Sequence, residues 1–122
     1  VHAYGNIVPA LLDRGDLDAA ESAIREGRAL LMRGLGTAFV LLLSAALLAQ
    51  RRGQPELAAR LLGCADRAYA RGRHHLHPPE QRMRDALLPA LASQLGAQRR
   101  DDLMREGAQW TESDAFERAG LA

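Results

Sequence analysis

Apolar residues recur at helical spacing along almost the whole chain, and glycines interrupt the pattern at intervals. Tyr4, Ile7, Val8, Leu11 and Leu12 form an i, i+3, i+4, i+7, i+8 stripe, the mark of one buried helical face. Pro9 allows two readings, because an interior proline removes a backbone hydrogen bond and crowds the preceding turn. Either the helix kinks there, or it begins near Asn6 as N-cap with Pro9 in its first turn. Gly15 then ends it, where a left-handed residue costs little. Asp16 is a good N-cap for a second helix, with Asp18 and Glu21 near the positive end and Arg25, Arg28 and Arg33 further along. Its inner side reads Leu17, Ala20, Ile24, Gly27 and Leu31, the small residues allowing close approach of another helix. Gly34 and Gly36 are expected to close this hairpin and Thr37 to cap the next.

Residues 34 to 50 hold 17 consecutive uncharged positions, flanked by Arg33 and Arg51. A membrane span needs about 20 apolar residues, and this run includes Gly34, Gly36, Thr37, Ser44 and Gln50. A central helix buried on most sides is the expectation. Gly53 stops it, and Pro55 and Glu56 open a fourth helix that carries Leu57, Ala58, Leu61, Leu62, Ala65 and Ala68 inward until Gly72. Residues 73–78 read as a loop. A fifth helix from about Pro79 to Leu95 presents Met83, Leu87, Leu88, Leu91 and Leu95, with Pro89 expected to bend it. After Gly96 the pattern predicts a short polar helix, about Gln98 to Glu106, with Leu103 and Met104 inward. Thr111-Glu112-Ser113-Asp114 resembles a capping box with Asp in place of Glu or Gln. It opens a final helix through Ala119, which Trp110 and Phe116 should pin onto helix five or six.

Composition narrows the fold class. Alanine (23) and leucine (21) exceed a third of the 122 residues and aromatics are 4%, which favours helix over strand. An all-α domain of about six to seven helices follows, spanning 1–122, with hairpins at 1–34 and 37–72 and C-terminal helices at 79–122. The 16 basic residues, all arginine, balance 15 acidic ones spread along the chain, so no polybasic segment exists to neutralise several phosphates. Direct nucleic-acid binding is not expected, nor is membrane insertion. Cys64 is the single cysteine and cannot form an internal disulfide, and nothing resembles a secretory signal. A cytoplasmic location is the expectation. The start at Val1, in mid-pattern, reads as a piece of a longer protein.

The turn segments Gly15 to Ala20 and Gly53 to Ala58 repeat one pattern 38 residues apart. A helix-turn-helix repeat of about 34 residues with a small residue opening the second helix resembles the tetratricopeptide repeat. That alignment places Tyr4, Ile7 and Leu11 at the family's large first-helix positions and Ala20, Ile24 and Gly27 at its second-helix packing positions. Val8 departs where the family favours glycine, and Gly27 where it favours alanine. The second unit matches at Leu42, Ala45, Ala46, Ala49, Gly53, Ala58, Leu62 and Ala65. Residues 53–65, a Pro-containing loop, Gln94-Leu95-Gly96, Glu106-Gly107 and the 111–119 helix further resemble the C-terminal helical domain of large bacterial ATP-binding transcriptional regulators. These are of the LuxR and antibiotic-regulatory (SARP) types, and the resemblance covers about residues 39 to 120.

The resemblance implies an α-α superhelix of antiparallel hairpins whose first helices line a groove. Asn6, Asp13, Gln50 and Arg51 would face that groove, with Leu43 and Leu47 as its apolar floor, unless helix five packs over it. The function implied is non-catalytic protein interaction, or coupling to the parent chain's own ATPase domain. The alternative is a sensor for a small-molecule inducer, which needs a concave pocket with convergent polar groups. Homodimerisation through an uncovered repeat end is a further expectation. No cofactor and no metal are expected: His74, His75 and His77 cluster ahead of Pro78-Pro79 but lack the i, i+4 geometry of a helical zinc site. Cys64, among Leu61, Leu62 and Ala65, fits a packed structural thiol. Asp101 and Asp102, interleaved with Arg99, Arg100 and Arg105, fit an exposed ion-paired face rather than catalysis.

Overall fold

The computed structural model describes residues 2–32, 38–72 and 78–121, and the side chains of 8–31, 38–70 and 80–121. The described residues form seven helices: α1 (His2–Asp13), α2 (Leu17–Met32), α3 (Ala38–Arg51), α4 (Pro55–Gly72), α5 (Pro78–Leu95), α6 (Ala97–Gly107) and α7 (Glu112–Arg118). No strand occurs among them. The glycine and threonine signals expected at Gly34, Gly36 and Thr37, and the histidines at 74, 75 and 77, lie outside the described residues.

The α1 helix begins well before Asn6, so Pro9 sits in its interior rather than in a capped first turn. Val8 and Leu12 are fully enclosed, and their burial, about 1.5–3 kcal/mol for a whole aliphatic side chain, outweighs one absent backbone bond. Gly15 and Gly53 both take positive φ, 79° and 76°. At each, the glycine N–H donates three residues back, to Leu12 and Gln50, and the next residue's N–H donates five back, to Leu11 and Ala49. This paired arrangement satisfies carbonyls that a helix end otherwise leaves open. It also makes the two turns, 38 residues apart, structurally equivalent.

Helix α3 is the centre of the molecule. Every residue from Phe39 to Ala49 is buried, and α1, α2, α4, α5 and α7 all pack against it. That is the buried-on-all-sides solution expected of its uncharged run. No helix among the described residues is long and apolar enough to cross a membrane.

Two glycines fix how α6 meets α4. A Cβ on Gly63 would lie 1.9 Å from the Met104 carbonyl oxygen, and one on Gly107 would lie 1.9 Å from that of Arg60. The two backbones therefore touch, and Cys64, 3% exposed, packs beside this crossing with its Sγ 3.8 Å from the Trp110 carbonyl oxygen. The α6 helix buries Leu103 and Gly107, while Met104 is half-buried and rests on Gly63.

The capping box is present: Thr111 Oγ1 accepts from the Asp114 N–H at 3.0 Å, and the Asp114 carboxylate accepts from the Thr111 N–H at 3.4 Å. The docking of α7 differs from the expectation of helix five or six. It packs on α3 and α4, and the Arg28 guanidinium of α2 lies 4.6 Å from the Phe116 ring centre while its Nη2 donates to Ser113. Arg25 of α2 also donates to the Gly120 carbonyl. A seven-residue helix with one apolar side tells that it must dock but carries no signal of where. The side of α3 and α4 next to Arg25 and Arg28 of α2 decides it.

Candidate functional site

The groove residues inferred by resemblance are divided between two settings. Asn6 lies in α1 with its side chain outside the described residues. Asp13 and Arg51 meet as an exposed ion pair at 3.8 Å, with Arg51 also donating to the Leu12 carbonyl. The Gln50 amide reaches Gln94 of α5 at 3.5 Å. These polar residues form one end of the helix layer. Leu43 and Leu47 are 2% and 4% exposed, so they do not form a shared open floor, and of the two only Leu43 lines the pocket between α3, α4 and α5. Helix α5 packs on both α3 and α1, which closes the face that these first helices would otherwise present.

Concavity occurs one helix-face away. Phe39 and Leu43 of α3, Ala65, Asp66 and Tyr69 of α4, and Arg84 of α5 line a pocket of about 350 Å³. Its position follows from helical periodicity. Phe39 and Leu43 are one turn apart, Ala65 and Tyr69 are one turn apart, and Arg84 lies beside the buried Met83 that accepts from Ser44 Oγ at 3.9 Å. Two walls are aromatic: the Phe39 and Tyr69 rings meet edge-to-face, centroids 5.4 Å apart at 63°, a favoured arrangement for ring quadrupoles.

The polar wall is a fork-to-fork ion pair. Arg84 Nε donates to Asp66 Oδ1 at 3.0 Å and Nη2 to Oδ2 at 2.9 Å. The hydrogen bonds that Arg84 donates to Asp66, with the charges of Asp66 and Asp85 behind them, raise the guanidinium further above its ordinary value against the opposing effect of burial. Arg84 therefore stays charged at every working pH. About a third of each side chain is exposed, 32% for Arg84 and 35% for Asp66, so the pair is a fixed but solvent-reachable polar edge. One turn before Arg84, Glu80 is buried at 7% exposure with one carboxylate oxygen lacking a hydrogen bond. It sits in the first turn of α5, where the helix dipole offsets part of the cost.

Helical periodicity does not single out Asp66, Tyr69 and Arg84 as a group. A signal was present: Asp66 falls on the same stripe as Leu62 and Ala65, and Arg84 on the stripe of Met83 and Leu87. Charged residues on core-facing stripes demand partners. What no stripe reveals is that the two face each other across the α4–α5 boundary.

Among the described residues no group of histidine, cysteine or carboxylate side chains has metal-holding geometry. Comparison with protein-family models, with curated proteins and with solved structures finds no match to this chain.

Proposed function

We propose that this chain is a non-catalytic, tetratricopeptide-like helical domain of a cytoplasmic bacterial transcriptional regulator of the LuxR or SARP type. In this reading it works by protein interaction, above all by coupling to the parent chain's own ATPase domain. The observation that supports it is the serial hairpin plan. Equivalent glycine turns join α1 to α2 and α3 to α4, a third positive-φ glycine, Gly96, joins α5 to α6, and the first helices α1, α3 and α5 pack side by side. Each hairpin contacts the next and α5 also reaches back to α1, so a displacement of one hairpin bears on the others. The polar end where Asp13, Arg51, Gln50 and Gln94 meet is the surface offered to a partner, which a second copy of the chain could also use. The test is the gene itself. An ATP-binding motif and a DNA-binding domain encoded in the same reading frame support the proposal, and a reading frame without them ends it.

A second reading, sensing of a small inducer, is favoured by one observation. The pocket between α3, α4 and α5 combines concavity, aromatic walls and a fixed charged pair, the combination small-molecule sites share. A ligand there would bridge two successive hairpins and so bias their relative placement.

A further inference from the structure

We infer that the pocket lined by Phe39, Leu43, Ala65, Asp66, Tyr69 and Arg84 takes a small, uncharged, flat apolar molecule that carries one hydrogen-bond acceptor. This inference rests on the sensing reading and specifies its ligand class. Size comes first. A volume of about 350 Å³ lies at the low end of the roughly 300–1,000 Å³ typical of ligand pockets, so the guest is about as large as a substituted two-ring aromatic compound.

Shape and polarity follow from the walls. Leu43 and Ala65 offer aliphatic surface, and the Phe39 and Tyr69 rings, edge-to-face at 63°, add aromatic surface on which a planar aromatic guest can pack. The ion pair sets the charge. Asp66 and Arg84 neutralise one another through two hydrogen bonds, so a charged guest would be desolvated without a net counter-charge in return. An anion would also compete with Asp66 for the guanidinium. A cation would meet Arg84 itself. Arg84 uses Nε and Nη2 for Asp66, and a guanidinium has five N–H groups in all. Three N–H groups are thus left, two on Nη1 and one on Nη2, to donate to a carbonyl or ether oxygen of the guest, and this places the acceptor at the Arg84 end of the molecule.

The experiment uses the 122-residue chain and a neutral naphthalene ketone whose fluorescence moves to shorter wavelength in apolar surroundings, 6-propionyl-2-dimethylaminonaphthalene. Two charged naphthalenes of similar size, 2-naphthoate and 2-naphthylmethylammonium, are titrated as competitors. The expected result is saturable one-to-one binding of the ketone with a blue shift, and displacement by neither charged compound at tenfold higher concentration. Ala65→Leu, which fills the pocket, and Tyr69→Ala, which removes a half-exposed wall, are each expected to weaken binding at least tenfold. Circular dichroism confirms that each is folded, and Tyr69→Ala serves alone if the buried substitution does not fold. Displacement of the ketone by either charged compound overturns the ligand class while leaving the sensing reading in place. Absence of binding by all three compounds overturns both. Unchanged affinity in a folded Tyr69→Ala variant puts the binding elsewhere and overturns the inference.

Discussion

Single residues set limits that the helical pattern alone does not express. Gly63 and Gly107 stand where a Cβ would strike backbone carbonyl oxygens 1.9 Å away, and backbone cannot step aside. Gly63→Ala and Gly107→Ala are each expected to destabilise the fold by about 3 kcal/mol or more, at the top of the usual overpacking range. Gly27→Ala should cost far less, because its nearest neighbour is the Leu41 side chain at 2.6 Å, which can rotate. Urea denaturation of the three variants separates the cases. A different residue sets the acid limit. Hydrogen bonds from Arg52, then Arg25, hold the Glu21 carboxyl below its ordinary 4.5. A depressed folded pKa contributes stability that is present above the unfolded value and lost as pH falls through the folded one. The urea midpoint should therefore fall below pH 4.5, and Glu21→Gln should flatten that fall while lowering the midpoint at neutral pH.

Elements differ in what ties them down. The capping box makes α7 a defined helix despite its seven residues, and Phe116, fully buried, attaches it to the body. Thr111→Ala removes the acceptor for the Asp114 N–H and is expected to cost about 1 kcal/mol, the usual loss for an N-cap threonine. Phe116→Ala should cost about 3–5 kcal/mol, as large-to-small changes in cores do. Both are read from thermal unfolding. The second should also free Arg28, whose guanidinium lies over that ring with its Nε lacking a hydrogen bond. The α5 helix is tied down by packing: the buried Met83, Leu87 and Leu91 of its inner stripe hold it against α1, α3, α4 and α6.

At the scale of the whole molecule, one helix organises the rest. Because α3 touches five others, no hairpin can leave without exposing Phe39 to Ala49, and unfolding should be a single transition. Trp110 fluorescence, which reports the α6–α7 corner, and far-ultraviolet circular dichroism, which reports all helices, are expected to give coincident urea curves. Separate midpoints would show that the hairpins unfold independently, as loosely coupled repeats do.

Legible in the chain alone are the helical class, the buried central helix, the glycine turns at Gly15 and Gly53, the capping box at Thr111 and the packed thiol at Cys64. All of these depend on spacing within one helix or turn, which the chain states directly. Packing between helices settles that α1 runs through Pro9, that α7 docks beside α2, that Leu47 is covered while Leu43 lines a pocket, and that Asp66 and Arg84 share a wall of it. Each depends on which flank of one helix lies free when another arrives. That is a property of helix pairs distant in sequence, and periodicity, being local, carries no record of it.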